Sequence, residues 1–245
     1  MCLIVFAWQV VPCAPLLAAA NRDEYYSRPT APAAQWLEHP HIFAGRDLQA
    51  GGTWMGVSEN GPRGQRFGAL TILRSPQQKR TDAPSRGELV ADFLRQDITP
   101  EDYLAQLQPI ADRYNGFNLL LGDRTSLIWF SNRGQDDPRN GQLLPPGIYG
   151  LSNALLDVTW PKVVKTKAQF GSLICQRAPA EAYFEMLSDT TLAPDGRLPN
   201  TGVSLEFERI LSAVRVDSEH YGTRSSTVVR LQRDGEPKLD EHFVR

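Results

Sequence analysis

The sequence has few of the residues that build metal sites and disulfide frameworks. Its 245 residues include three cysteines and four histidines, and its formal net charge is -2. The cysteines stand at positions 2, 13 and 175, a spacing that makes neither a disulfide framework nor a zinc motif. A reducing, cytoplasmic compartment is the simplest interpretation. The lack of excess positive charge argues against nucleic acid or an anionic membrane as a partner.

Long uninterrupted apolar runs are also missing. The N-terminal stretch "MCLIVFAWQVVPCAPLLAAA" is apolar, but Pro12 and Pro15 interrupt it and no Lys or Arg precedes it. A signal peptide has a basic start, and a bilayer-spanning helix needs about 20 apolar residues. We therefore expect no transmembrane segment. The stretch instead predicts two strands joined by a turn at "VPCAP", with the first strand beginning at Cys2.

Two helices are predicted after the strands of the first third. "SRGELVADFLRQ" begins with Ser85 and has Glu88 three residues on, which is typical of a capping box. "TPEDYLAQLQPIADRY" has Thr99 as its N-cap and proline at its first helical position. Residues 25–55, rich in proline and glycine, are expected to form loops.

The order of elements predicts the fold class. Strands, helices, strands, helices and strands follow one another, with a later helix opening at Pro161 and another over 180–187. Segregated runs of this kind favour an α+β fold, in which two antiparallel sheets pack face to face with helices outside. No linker divides the chain, and a single domain over 1–245 is expected.

Cys2 is the first candidate for chemistry. Removal of Met1 would leave Cys2 with a free α-amine, of pKa ~7.7–8.0, that can act as a general base on its own thiol. The alternative is a small buried hydrophobic residue at a strand start. An opening hairpin returns "NRDE" to the level of Cys2, because antiparallel strands of similar length bring their outer ends together. Asp23 can then hold the amine, and Arg22 or Arg28 can meet a ligand carboxylate.

Other residues expected near Cys2 are candidates for ligand binding. "GGTW" places Trp54 behind a flexible glycine pair, where it either lines an apolar pocket or belongs to the core. His39 and His41 form a pair without a third ligand nearby, so we predict no metal site. The candidate ligand-binding residues are Asn21, Arg22, Glu24, Arg28 and Trp54. For the polar members of this set, the alternative is a surface cluster of ion pairs with little energetic effect.

Seven short motifs resemble one family in their order along nearly the whole chain. They are "MCLIVF", "NRDEYYSRP", "AGRD", "GGTWMGV", "LSN", "WPKV" and "YGTRSSTV". These motifs resemble the NRDE family, also called the Transport and Golgi organisation 2 family. The resemblance implies intracellular handling of a small molecule, with haem trafficking as the leading expectation. Haem would then be cargo, and no cofactor is required.

That family is in turn distantly similar to N-terminal nucleophile hydrolases of the choloylglycine hydrolase and penicillin V acylase type. This second resemblance implies a four-layer αββα sandwich. It also implies that Cys2 is the nucleophile, Asp23 the acid at its amine, Asn153 an oxyanion-hole amide and Arg224 a site arginine. The alternative function is therefore an amidohydrolase acting through Cys2 on a small, amphipathic amide or acyl compound. Two departures from the family pattern are Ile72, where asparagine is expected, and the inserted "PRGQ" at 62–65.

Overall fold

The computed structural model describes residues 2–59, 61–75 and 80–245. Within them the chain forms two antiparallel sheets and five α-helices. The strands of the first sheet are β1 (Cys2–Val11), β2 (Ala14–Tyr25), β9 (Gly147–Leu151), β10 (Tyr221–Leu231) and β11 (Lys238–Phe243). They lie in the order β11-β10-β2-β1-β9, so the opening hairpin occupies the centre of this sheet.

The second sheet has six strands. They are β3 (Thr30–Trp36), β4 (His39–Asp47), β5 (Met55–Ser58), β6 (Arg66–Ile72), β7 (Phe117–Asp123) and β8 (Leu127–Ser131). These strands follow one another in chain order across the sheet. Each therefore pairs with its sequence neighbour, which is the pattern of an antiparallel meander.

Four of the five α-helices cover the outer faces of the two sheets. They are α1 (Gly87–Arg95), α2 (Pro100–Leu107), α3 (Pro161–Cys175), α4 (Ala180–Leu187) and α5 (Leu205–Leu211). Helices α1 and α2 pack on the second sheet, and α3 and α4 pack on the first. The inner faces of the sheets share an apolar core that includes Phe6, Phe67 and Trp129. The predicted α+β sandwich, with two antiparallel sheets flanked by helices, is confirmed.

The opening hairpin is confirmed in its register. Cys2 pairs with Arg22, and the pairing continues through Trp8 and Leu16 towards the turn. The strand β2 runs on to Tyr25 and so includes all of "NRDE". These four residues lie within the sheet because β10 pairs with β2 along this whole stretch.

Two local predictions are wrong. Residues 25–55 contain the strands β3 and β4 instead of loops alone, and β3 accommodates Pro32 at an irregularity between Ala31 and Ala34. The capping box at Ser85 does not form, because α1 begins at Gly87 with no side-chain cap at Arg86. By contrast, the Thr99 side chain accepts a hydrogen bond from the Asp102 amide and caps α2 as predicted. Among the described residues, no helix has the length and apolar character needed to cross a bilayer.

Candidate functional site

The four residues of "NRDE" point alternately to the two faces of the first sheet, as successive side chains of a strand must. Asn21 faces the helical layer, where its amide donates to the Leu187 and Val214 carbonyls at 2.8 and 2.9 Å. Asp23 shares that face. Arg22 points the opposite way, and its guanidinium lies 4.1 Å from the centre of the Trp54 ring on the second sheet. Half of the motif therefore faces the space between the sheets.

Asp23 is buried and anchored by the neighbouring strand. One carboxylate oxygen accepts a hydrogen bond of 2.7 Å from the Thr223 hydroxyl of β10. Burial raises the pKa of the Asp23 carboxyl, whereas the nearby cations Lys162 and Arg74 and the Thr223 hydrogen bond lower it. Cations on two other segments thus offset only part of the effect of burial, and the pKa of the Asp23 carboxyl stays above its ordinary value.

Cys2 is half-buried and lies opposite Arg22 in the strand pairing. Its carbonyl accepts a hydrogen bond of 3.0 Å from the Ser152 hydroxyl, which fixes this end of β1 to the end of β9. Burial raises the pKa of the Cys2 thiol, and the Asp23 carboxylate raises it further, while Arg22 opposes both. The net result is a pKa of the Cys2 thiol above its ordinary value, set mainly by burial.

A cleft opens at the end of the sandwich that carries Cys2. It consists of two adjacent cavities of about 960 and 530 Å³. Both are bordered by the same five residues, which form the waist between them: Glu24, Arg28, Ile72, Arg86 and Asn115. Cys2, Arg22 and Trp54 line the smaller cavity. A volume of this size is typical of sites for small organic molecules.

The arginines around the cleft fall into two groups. Arg28 donates two hydrogen bonds to Asp47, at 2.9 and 2.7 Å, and the Arg74 guanidinium pairs with Glu208 at 2.7 Å. These two cations are neutralised by carboxylates within the chain.

Arg22 and Arg86 form the second group. Arg22 donates to the Thr30 hydroxyl at 3.1 Å, and Arg86 donates to the Gly116 carbonyl at 3.0 Å. Across residues 2–59, 61–75 and 80–245, neither makes an ion pair with a carboxylate. Burial lowers the pKa of both guanidinium groups, since a charge is costly away from water. The smaller cavity thus holds two cations that make no ion pair within the described residues, although the Glu24 carboxylate acts on both from farther away and Asp47 acts on Arg22.

Part of the lining of the larger cavity is apolar. The side chains that form it are Leu155, Val158, Trp160, Val203 and Phe207. Trp54, in the smaller cavity, packs against Gly45, where a methyl group would lie 2.3 Å from the indole ring. Cation–aromatic stacking between Arg22 and Trp54 holds the guanidinium at the cavity wall. Trp36, in contrast, is buried in the core beneath α1.

Asn153 lies at the edge of the cleft, whereas Arg224 lies outside it. The Asn153 side chain borders the larger cavity, but its amide donates to the Ile72 carbonyl at 2.8 Å and so secures the end of β6. Arg224 borders neither part of the cleft. Its guanidinium donates to the carbonyls of Tyr25, Tyr26 and Arg28 at 3.0–3.3 Å and thereby shapes the turn that follows β2.

The structure brings six of the residues proposed from the sequence together around the smaller cavity: Cys2, Arg22, Asp23, Glu24, Arg28 and Trp54. Asn21 is directed away from the cleft, into the helical layer. The sequence reasoning missed Arg86, Arg74 and Lys162. Arg86 was part of the supposed capping box, and Lys162 lies in the motif "WPKV" without an assigned role. No local pattern indicated Arg74, which follows the end of β6.

The inserted segment at 62–65 lies away from the cleft. Within it, Arg63 pairs with Glu101 at 3.0 Å, at the start of α2. The Gln65 side chain bonds to the carbonyl of Gly235 in the β10–β11 turn. Ile72 stands in the waist of the cleft and offers no side-chain donor there.

The fold and the cleft together define an α-β-β-α sandwich with a basic, partly apolar cleft at one end of its sheets. The chain belongs to the Transport and Golgi organisation 2 family, whose model matches residues 1–244.

Curated relatives match over the whole chain. The Transport and Golgi organization 2 homolog of Mus musculus is 33% identical over 265 aligned residues. The Transport and Golgi organization protein 2 homologs of Bos taurus and Homo sapiens are 35% and 34% identical. In each case the alignment covers 100% of this chain and 93% of the relative.

Proposed function

We propose that this protein binds and hands on an amphipathic organic anion, with haem as the ligand that fits the cleft best. The observation that carries the proposal is the pair Arg22 and Arg86, two buried or part-buried cations that donate to neutral oxygens and make no ion pair with a carboxylate of the described chain. A ligand with two carboxylates would supply the missing anions through charge-assisted hydrogen bonds.

The apolar side chains of the larger cavity also favour an amphipathic ligand. A flat, apolar macrocycle suits the aromatic and aliphatic side chains of the larger cavity, among them Trp160 and Phe207. Cys2 borders the cleft and has a side chain of a type that ligates haem iron. The cleft is open to the surface, which suits a carrier that must release its ligand to an acceptor.

Replacing Arg86 or Arg22 by glutamine is expected to weaken haemin binding about tenfold, because each change removes one charge-assisted contact to a carboxylate. The measurement is a titration with haemin followed by the Soret band. The matched control is Lys238→Gln, an exposed cation at the far end of the sheet, where Lys238 pairs with Arg230. The control should leave the affinity unchanged. A wild-type protein without a saturable Soret change would contradict the proposal.

A second candidate function is that of a cysteine amidohydrolase. The position of the Cys2 thiol on the cleft wall, one strand position from Asp23, favours it. In this case Met1 is removed, and the freed amine takes the thiol proton as the sulfur attacks an amide.

Intact-mass measurement and a Cys2→Ala variant test this second candidate. A hydrolase should show a chain that lacks Met1, and the variant should lose about 10³-fold or more of its activity on a panel of small amides. A retained Met1, or a variant as active as the wild type, would rule the hydrolase out while leaving haemin binding to be judged by its own titration.

A further inference from the structure

Tyr25 is an exposed aromatic side chain on the wall of the larger cavity. Among the residues that the structure describes, two aromatic side chains are exposed: Tyr25, at 56%, and Phe243, at 47%. Phe243 lies 5.6 Å from the Arg224 guanidinium and lines neither part of the cleft. Tyr25, at the end of β2, does line it. The exposed ring of Tyr25 is therefore directed where a ligand can reach it.

The Tyr25 ring is the exposed end of a row of three aromatic rings. It meets the Tyr221 ring edge to face, with 5.1 Å between the ring centres, because the two residues are paired across β2 and β10. Tyr221 is buried, its hydroxyl donates to the Asp23 carbonyl at 3.1 Å, and its ring contacts that of Phe207 on α5. All three rings line the larger cavity. An edge-to-face contact engages only one side of a ring, so Tyr25 keeps aromatic surface open to the cavity.

The backbone of Tyr25 is held by contacts that do not involve its ring. Its carbonyl accepts hydrogen bonds of 3.0 Å from the Arg28 amide and from the Arg224 guanidinium. Its amide donates to the Glu24 carboxylate at 2.9 Å. The turn after β2 therefore does not depend on the aromatic side chain, and a substitution of Tyr25 should leave the chain folded.

The position of the two unpaired arginines places Tyr25 beside the apolar part of the proposed ligand. Arg22 lines the smaller cavity, and Arg86 lies in the waist that borders both cavities. A ligand whose carboxylates contact these two arginines extends the rest of its structure from the waist into the larger cavity. Tyr25 follows Glu24, another residue of the waist, and so lies at the start of that cavity.

We propose that Tyr25 makes the cleft selective for a flat aromatic ligand, by stacking its exposed ring on the macrocycle. The inference rests on the proposed function and adds a preference to it. Stacked rings gain energy beyond the apolar area that they bury, and a flexible alkyl chain does not make this contact. Of two amphipathic dicarboxylates, the one with a planar ring system is therefore preferred.

The test is a Soret titration of the full-length protein and three variants with haemin. Tyr25→Leu keeps an apolar side chain but removes the ring, and we expect it to weaken haemin binding about threefold to tenfold. Tyr25→Phe keeps the ring and should bind within about twofold of the wild type. Phe243→Leu is the matched control, because it removes the exposed ring that lies outside the cleft, and it should leave the affinity unchanged.

A second ligand separates stacking from a general loss of structure. Dodecanedioate has two carboxylates and no ring, and by calorimetry Tyr25→Leu should bind it as the wild type does. An equal loss of affinity for haemin and dodecanedioate, a Tyr25→Phe protein as weak as Tyr25→Leu, or a Tyr25→Leu protein that binds haemin like the wild type would overturn the role of Tyr25 alone. A wild-type protein that binds no haemin would overturn the proposed function as well.

Discussion

Replacing Gly52 by alanine is expected to lower the free energy of unfolding by about 3 kcal/mol and to deform the cleft. A methyl group at this position would lie 2.4 and 2.5 Å from the carbonyl carbon and oxygen of Gly87, and 2.7 Å from the amide nitrogen of Glu88. All three are backbone atoms, so no side-chain rotation can relieve the overlap. The loop before β5 and the start of α1 would have to separate.

The contact between Gly52 and Gly87 lies beside two residues that line the smaller cavity, Trp54 and Arg86. The Thr53 amide donates to the Gly87 carbonyl at 3.1 Å, next to Arg86 on one side and Trp54 on the other. Gly52→Ala should therefore weaken haemin binding as well as stability, measured by urea denaturation and Soret titration. Gly196→Ala is the control, because a methyl group there would meet nothing within 4 Å. A Gly52→Ala protein as stable as that control would contradict the prediction.

Replacing Arg66 by alanine is the second change with a large expected effect. Arg66 is 1% exposed, and its guanidinium donates to the carbonyls of Phe93, Leu94 and Gln96 at the end of α1. The last carbonyls of a helix have no partner within the helix. Arg66 supplies those partners from β6, and its loss leaves several carbonyls unsatisfied in a buried place.

We expect Arg66→Ala to lower the free energy of unfolding by about 3–5 kcal/mol, from the unpaired carbonyls and the cavity together. Arg66→Lys should recover part of the loss, because one ammonium cannot reach every carbonyl that a guanidinium does. Arg113→Ala, at an exposed arginine, should change stability by less than about 0.5 kcal/mol. Urea denaturation measures all three, and an Arg66→Ala protein no less stable than Arg113→Ala would show that Arg66 does not support α1.

The sequence predicted the elements whose signals are local. The opening hairpin was predictable because two apolar runs flank a proline turn, and its register followed from their similar length. The start of α3 was predictable from Pro161, and the cap of α2 from Thr99. These signals act within a few residues, so tertiary contacts did not alter them.

Other features depended on contacts that are distant in the sequence. Pro32 and its neighbours suggested loops, yet β3 forms because β4 pairs with it around an irregularity. Ser85 suggested a capping box, but α1 begins at Gly87, which lies in close contact with Gly52.

In the candidate site, too, the features set by local sequence were predictable, and those set by contacts between distant segments were not. The approach of Arg22 to Cys2 followed from the hairpin alone. Arg86 reaches the cleft only because α1 packs on the second sheet, and Lys162 is buried only because α3 packs on the first. The role expected for Arg224 came from a resemblance. Its bonds to three carbonyls of the turn after β2 could not be inferred from the motif.

We propose that Arg22 and Arg86 bind the carboxylates of an amphipathic ligand. The most direct test is a comparison of haemin with haemin dimethyl ester, in which both carboxylates are blocked and the macrocycle is unchanged. We predict saturable binding of haemin and an affinity for the ester lower by about a hundredfold, since two charge-assisted contacts are lost together. Equal affinity for the two compounds would show that the macrocycle alone is recognised and that the arginine pair serves another purpose.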